Sequence, residues 1–560
     1  MNAKNKNVNL NKKSLLILMV SALFVLSSGG YASADFTAIN TNTGFSSSNI
    51  ISSTGTSSFT QVDSNTQSLS NSVTSSTILG DNDSDNNTGS GTATSGSAHI
   101  MGSFENSTNL NLLDQSTAWW AGSFMSENDT TGAESDNTAI TTFSADTTVS
   151  ETNSTEIDNS ADVSAETGEN SSNNNTGSGL TESGDAETDL SVNNTANGNG
   201  VALMAMNEMF EVATRNFATG FSSTNTSVST VTNTADISGT NEFNVSNDVF
   251  ASMDTGNNDA NGNTGDGKVV SGIASTQGNI TNNANANNSL VSVGSESTSS
   301  LTSENDTTGA DSTNTSSNTV TNDITVEDSN SANIDNSQEL LAETGENSSS
   351  NNTGSGQVVT GEASSEANFS NGSLSLNSNT TVIDMGSGEV SSTSSNNTTG
   401  ADSTNTSSTS LANTADITNS NDAEIENSAE VHTTSGDNDS NNNTGDGSIE
   451  TGDVSGTANI MNDLNVNETT VGMASMMTLS SSNETTGSDS TNTSTATVSN
   501  SLSVSNTNNS SLVNTSTISV NSGDNTSSNN TGSGSTTTGN GAVMFEIVNQ
   551  SNVNTTEIGS

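Results

Sequence analysis

Aspartates at alternate positions, Asp81, Asp83 and Asp85, and again Asp437 and Asp439, have the spacing in which every second side chain of a loop turns toward a bound calcium ion. The chemistry they offer is coordination of a hard cation by carboxylate oxygen. The equivalent loops around Glu169, Glu346 and Asp524 lack most of these acids but keep their Asn, Thr and Gly. The competing reading is therefore a solvated Asx-type corner. Calcium is the one cofactor the sequence raises, against an expectation of none. Catalysis finds less support, because His99 and His432 occupy unrelated positions and no nucleophile, base and orienting group can be placed together. Carboxylate pairs such as Asp162 and Glu166 exist, but acids this numerous fall close together by chance. The expectation is that the chain is not an enzyme.

The residues that recur with most regularity are asparagines. A Thr-Gly glycine returns at Gly44, Gly132, Gly220, Gly309, Gly400 and Gly487, and a second signature, GxNxxxxNTG[SD]G, starts at Gly80, Gly168, Gly256, Gly345, Gly436 and Gly523. A period of about 88 residues implies stacked identical units. Between the two signatures, odd positions carry apolar residues and Asn while even positions carry Ser, Thr, Asp and Glu, the period-two pattern of a strand. Asn65, Asn153, Asn241, Asn330, Asn421 and Asn508 share one register, and Asn71, Asn159, Asn247, Asn336, Asn427 and Asn514 share another. In the second half of the repeat the same apolar-x-Asn element recurs at Asn106, Asn194, Asn282, Asn371, Asn462 and Asn549. An inward Asn must be satisfied, and stacking one rung on the next predicts side-chain amide ladders. Glycines of TG, NTG and TGxG are expected to supply left-handed corners, and length variation between NTG and the next Thr-Gly predicts a looped-out side.

Composition narrows the class. Lys4, Lys6, Lys12 and Lys13, the apolar run Leu15 to Leu26 and Ala32-Ser33-Ala34 read as a signal peptide over 1–34. The apolar run is short for a membrane span, which leaves a retained anchor as the alternative and predicts no span after cleavage. Outside that leader only Arg215 and Lys268 stand against 63 acidic residues, so nucleic acid is not an expected partner. A β-helix polysaccharide lyase would also want more basic residues than these two. With no cysteine there is neither disulfide nor thiolate metal site, and with no proline nothing interrupts a backbone ladder. Trp119-Trp120, the stretch from Val201 to Phe217 with Met204, Met206, Met209 and Phe210, and Met473 to Leu479 depart from the repeat. They read as adhesive patches or as segments covering the core.

The NTGxG, TTGADSTNT and TGDVSGTANI strings resemble Asn/Ser/Thr-rich long-repeat proteins secreted by candidate-phylum bacteria, β-solenoid surface proteins with adhesin-like repeats. That resemblance covers residues 35 to 560 and implies a surface-exposed bacterial role. The expected architecture is all-β, an elongated β-solenoid or parallel β-helix, with tandem β-sandwich domains and disorder as alternatives. Its parts are the leader at 1–34 and repeats at 35–122, 123–210, 211–299, 300–390, 391–477 and 478–560, the last incomplete. With rungs of about 22 residues rising about 4.8 Å, the repeats would build a rod of roughly 115 Å. The expected function is a secreted cell-surface structural or adhesin-like rod or stalk, with a carbohydrate-binding or carbohydrate-processing β-helix as the alternative. Expected partners are cell-surface or extracellular matrix components, including glycans.

Overall fold

The computed structural model describes residues 36–41, 44–115, 122–203, 210–292, 299–384, 390–472 and 477–559. They form an all-β parallel solenoid of six rungs, with four strands contributed to each rung. The longest strand of each rung has 31 residues: Ser48–Ile78, Asp136–Glu166, Thr224–Asp254, Thr313–Glu343, Thr404–Thr434 and Thr491–Asn521. Each pairs in parallel with its counterpart one repeat away, so that Ile157, Val245 and Ile334 lie in one column. Pairing runs between repeats rather than within them, which excludes tandem sandwich domains.

A corner follows the long strand and leads to a four-residue strand such as Gly267–Val270, then to a returning strand such as Ala274–Ser292. A shorter strand such as Ser299–Thr308 starts the next rung, and the Thr-Gly turn feeds the next long strand. The returning and short strands lie over the long-strand sheet and close a two-layer core.

The rung is therefore the whole repeat of about 88 residues, not 22. The physical reason is that inward-outward alternation runs unbroken along the long strand, with no corner residue to reverse it. Thirty-one residues at about 3.3 Å each extend roughly 100 Å, whereas six stacked rungs span only about 24 Å from first to last strand. The long dimension thus lies across the stack, and one chain is a broad, short slab rather than a 115 Å rod. The described part of the variable-length stretch supplies the second layer. In repeat four its extra residues leave the ladder between Asn371 and Ser378, at Gly372 with φ +84°.

The corners also differ from expectation. Left-handed backbone falls mainly on Asn, Asp, Glu and Thr, among them Thr130, Glu134, Glu169 and Asn174. Most signature glycines have ordinary φ and are needed for clearance instead. A Cβ on Gly168 would lie inside the Gly256 carbonyl, and one on Gly177 would meet Ser90 and the Gly89 backbone. Rungs stack too closely there for any side chain.

Apolar blocks alternate with polar columns along the core. Val231 and Leu411 belong to one block, Ala235 and Ile237 to the next, then Phe243 and Val245, then Val249, Ala251 and Met253. Fully burying each large aliphatic side chain contributes about 1.5–3 kcal/mol.

Candidate functional site

The long strand places Asn153, Asn241, Asn330 and Asn421 inward, and each Nδ2 donates to the Oδ1 of the next rung at 2.9–3.0 Å. Asn65 starts this column, donating to Asn153 at 3.0 Å, and Asn508 ends it. The column Asn71, Asn159, Asn247, Asn336, Asn427 and Asn514 repeats the geometry at 2.7–2.8 Å. On the returning strands Asn106, Asn194, Asn282, Asn371, Asn462 and Asn549 do so at 2.7–2.8 Å.

The last two columns face each other and interlock. Asn247 donates to Asn336 at 2.7 Å and to Asn282 at 3.4 Å, and its Oδ1 accepts from Asn159 at 2.8 Å and from Asn194 at 3.1 Å. Two donors and two lone pairs are thereby saturated. The amides also hold the register. A two-residue slip preserves inward-outward alternation but sets Asn against Ile or Val, leaving buried amides unpaired at about 1–3 kcal/mol each.

A partner for the first column is less visible in the sequence. Asn111, Asn199, Asn287, Asn379, Asn467 and Asn554 face it and form their own ladder at 2.9–3.0 Å. Their common offset from NTG is disturbed in repeat four by the insertion at Gly372, which hides the pattern. The asparagines of NTG form a further column, with Asn175 Oδ1 accepting from the Asn87 backbone amide at 2.8 Å and from its Nδ2 at 2.9 Å.

The proposed calcium ligands do not converge. Asp81, Asp83 and Asp85 belong to the first rung, Asp437 and Asp439 to the fifth, and no group of three acidic or histidine side chains able to hold a metal forms among the described residues. Asp85 accepts from Ser171 Oγ at 2.7 Å and from the Asn173 amide at 2.5 Å. Asp437 accepts from the Asp524 amide at 2.7 Å and Asp439 from Asn441 Nδ2 at 3.0 Å. Three of these acids thus serve as hydrogen-bond acceptors, Asp85 and Asp437 toward the next rung and Asp439 within its own corner. His99 contacts Glu187 at 3.5 Å and His432 contacts Glu430 at 2.8 Å, on different sheets. Arg215 pairs with Glu304 at 3.2 Å and Asp306 at 3.5 Å, its guanidinium 4.8 Å from the Phe217 ring centre.

Acids also enter the core. Asp63, Glu151, Gly239, Asp328, Asn419 and Asn506 occupy one inward column. Burial, reinforced by Asp63 and Asp328, pushes the Glu151 carboxyl up to about 8. Burial raises Asp328 to about 7 although Ser289 Oγ donates to it at 2.9 Å. At the corner, burial and then the neighbours Asp254, Glu346 and Asp437 raise Glu343 to about 7.

Because these carboxyls hold protons in the fold that the unfolded chain releases, their effect on stability follows one sign. No penalty exists below the ordinary carboxylate range, and stability falls as pH rises through it toward 8. Asp328→Asn, the residue already present at 419 and 506, should gain about 4 kcal/mol at pH 8 and less than about 1 kcal/mol at pH 4. Urea titrations of both proteins at the two pH values check this.

The leader at 1–34, Trp119, Trp120, Met204, Met206, Met209 and Met473 lie outside the described residues. Among the described residues no helix is long and apolar enough to cross a membrane. No protein-family model, no curated protein and no solved structure matches the chain.

Proposed function

We propose that the chain is a secreted cell-surface structural or adhesin-like scaffold that presents a broad, acidic, hydroxyl-rich sheet to its surroundings. The observation that carries this reading is the division of labour along every long strand. Inward positions of the inner rungs are mostly Asn ladders and apolar columns, while outward positions are mostly Ser, Thr, Asp and Glu in rows one rung apart. Neighbouring rows touch, as in Ser408 Oγ to Ser317 Oγ at 3.0 Å and Ser238 Oγ to Ser150 Oγ at 3.1 Å. The leader motif adds the export route.

Two measurements test the reading. Antibody labelling of intact producing cells should stain their surface, and labelling only after lysis would remove the surface role. On a glycan array a structural scaffold gives no reproducible signal. Saturable binding to one sugar class would favour the carbohydrate-binding alternative.

A further inference from the structure

We infer that the first and sixth rungs are docking surfaces for further copies of this chain, which stack head to tail into a continuous solenoid. Four observations converge on a second copy as the occupant.

The long edge strands carry almost no charge. Thr491–Asn521 contains no charged residue and Ser48–Ile78 only Asp63, whereas each of the four inner long strands carries between four and seven acids. Charges and prolines are the usual guards of an exposed edge, and here they are withheld from the two edges that have no strand beyond them among the described residues. In a chain this acidic, self-repulsion is lowest where copies would meet.

The glycine clearances extend to the first rung. In later rungs the Thr-Gly and NTG glycines, and the glycine just after the four-residue strand, abut the preceding rung; a Cβ on Gly132 would meet Gly44, one on Gly177 would meet Gly89, and one on Gly184 would meet Gly96. At Gly44, Gly89 and Gly96 a Cβ would meet nothing within 4 Å. The space these residues keep open fits another rung.

The inward Asn ladders have one polarity. Asn Nδ2 donates toward the higher-numbered rung from Asn40, Asn49, Asn65 and Asn71 at the start to Asn421, Asn427, Asn462 and Asn467 near the end. Donors at the sixth rung therefore face acceptors at the first rung of a following copy. Pairing two sixth rungs by a two-fold axis would set donors against donors and reverse the strands.

Register is preserved across the joint. Asn508 falls over Asn65, Asn514 over Asn71, Asn549 over Asn106 and Leu512 over Leu69, the same pairings found inside the chain. Leu69, Phe104, Leu512 and Ile518, partly buried at the two ends, would be covered.

The stack rests on the scaffold reading only for its setting, and the test separates the two. The purified chain should show concentration-dependent oligomers in sedimentation velocity, more of them at higher salt as repulsion is screened. Electron microscopy should show fibres growing by about 29 Å per copy. Gly89→Val with Gly96→Val fills only the open space, so it should retain the monomer's melting temperature and raise the assembly threshold at least about tenfold, or roughly 1.4 kcal/mol. A chain that stays monomeric at every concentration and salt, or a double variant that assembles like the parent, overturns the stacking. A monomer that still labels the cell surface would overturn the stacking alone. Fibres from a chain absent from the surface would overturn the scaffold reading alone.

Discussion

Valine at Gly177 should destabilise the fold by more than about 3 kcal/mol, while valine at Gly89, the same motif position one rung earlier, should leave the melting temperature of the dilute monomer unchanged. The pair isolates clearance from conformational preference, because neither glycine has left-handed backbone. At Gly177 a Cβ would lie 2.5 Å from Ser90 Oγ and 2.6 Å from the Ser90 amide nitrogen. The Ser178 amide, which donates to Ser90 Oγ at 3.1 Å, would have to move away with the corner. At Gly89 nothing stands within 4 Å. Thermal unfolding at low salt, with limited proteolysis to locate the opened corner, gives the comparison. Equal destabilisation by both valines would show that these glycines serve local backbone geometry.

The second large effect concerns the amide columns. Asn247→Leu keeps approximate volume but removes four hydrogen bonds at once, leaving Asn159 and Asn194 each short of an acceptor and Asn282 and Asn336 each short of a donor. At about 1–3 kcal/mol for each of the buried groups left unpaired, the expected loss is at least about 4 kcal/mol. The same change at Asn514, in the half-open sixth rung, should cost well under half as much, because water reaches that end. Urea unfolding midpoints of the two variants against the parent decide the matter. A repeat array need not unfold in one step, so hydrogen exchange should also locate the loss at the third rung.

Much of this architecture is legible in the order of side-chain types. Alternation along the long strand, the period and the recurrence of Asn241 and Asn247 at matching offsets all follow from it. Rung length is harder, because Thr-Gly and NTG signatures alternate at roughly half the period and each looks like a turn between short strands. What settles it is that only a shift by a whole repeat brings every Asn onto another Asn, while local turn chemistry carries no information about the pairing partner. The Asn111 column is hidden because Gly372 and its neighbours shift repeat four out of phase. Glu151 and Asp328 are hidden because acids normally belong to the surface, and in so acidic a chain composition outweighs their inward offset. At Asp81, Asp83 and Asp85 the spacing resembles a cation loop, while Asp85 accepts from Ser171 Oγ and from the Asn173 backbone amide in the adjoining rung.

Making the rung as long as the repeat has a consequence for how the chain acquires its structure. Among the described residues every strand partner lies about 88 residues away, and no hairpin offers an early local contact. Closing such a loop has an entropic cost before any ladder forms, so the first two rungs should be slow to meet. Once they have met, a finished edge presents a complete row of backbone and amide partners to the next segment of chain. Growth then proceeds by templating, each new segment of chain being laid onto the edge that the previous one completed.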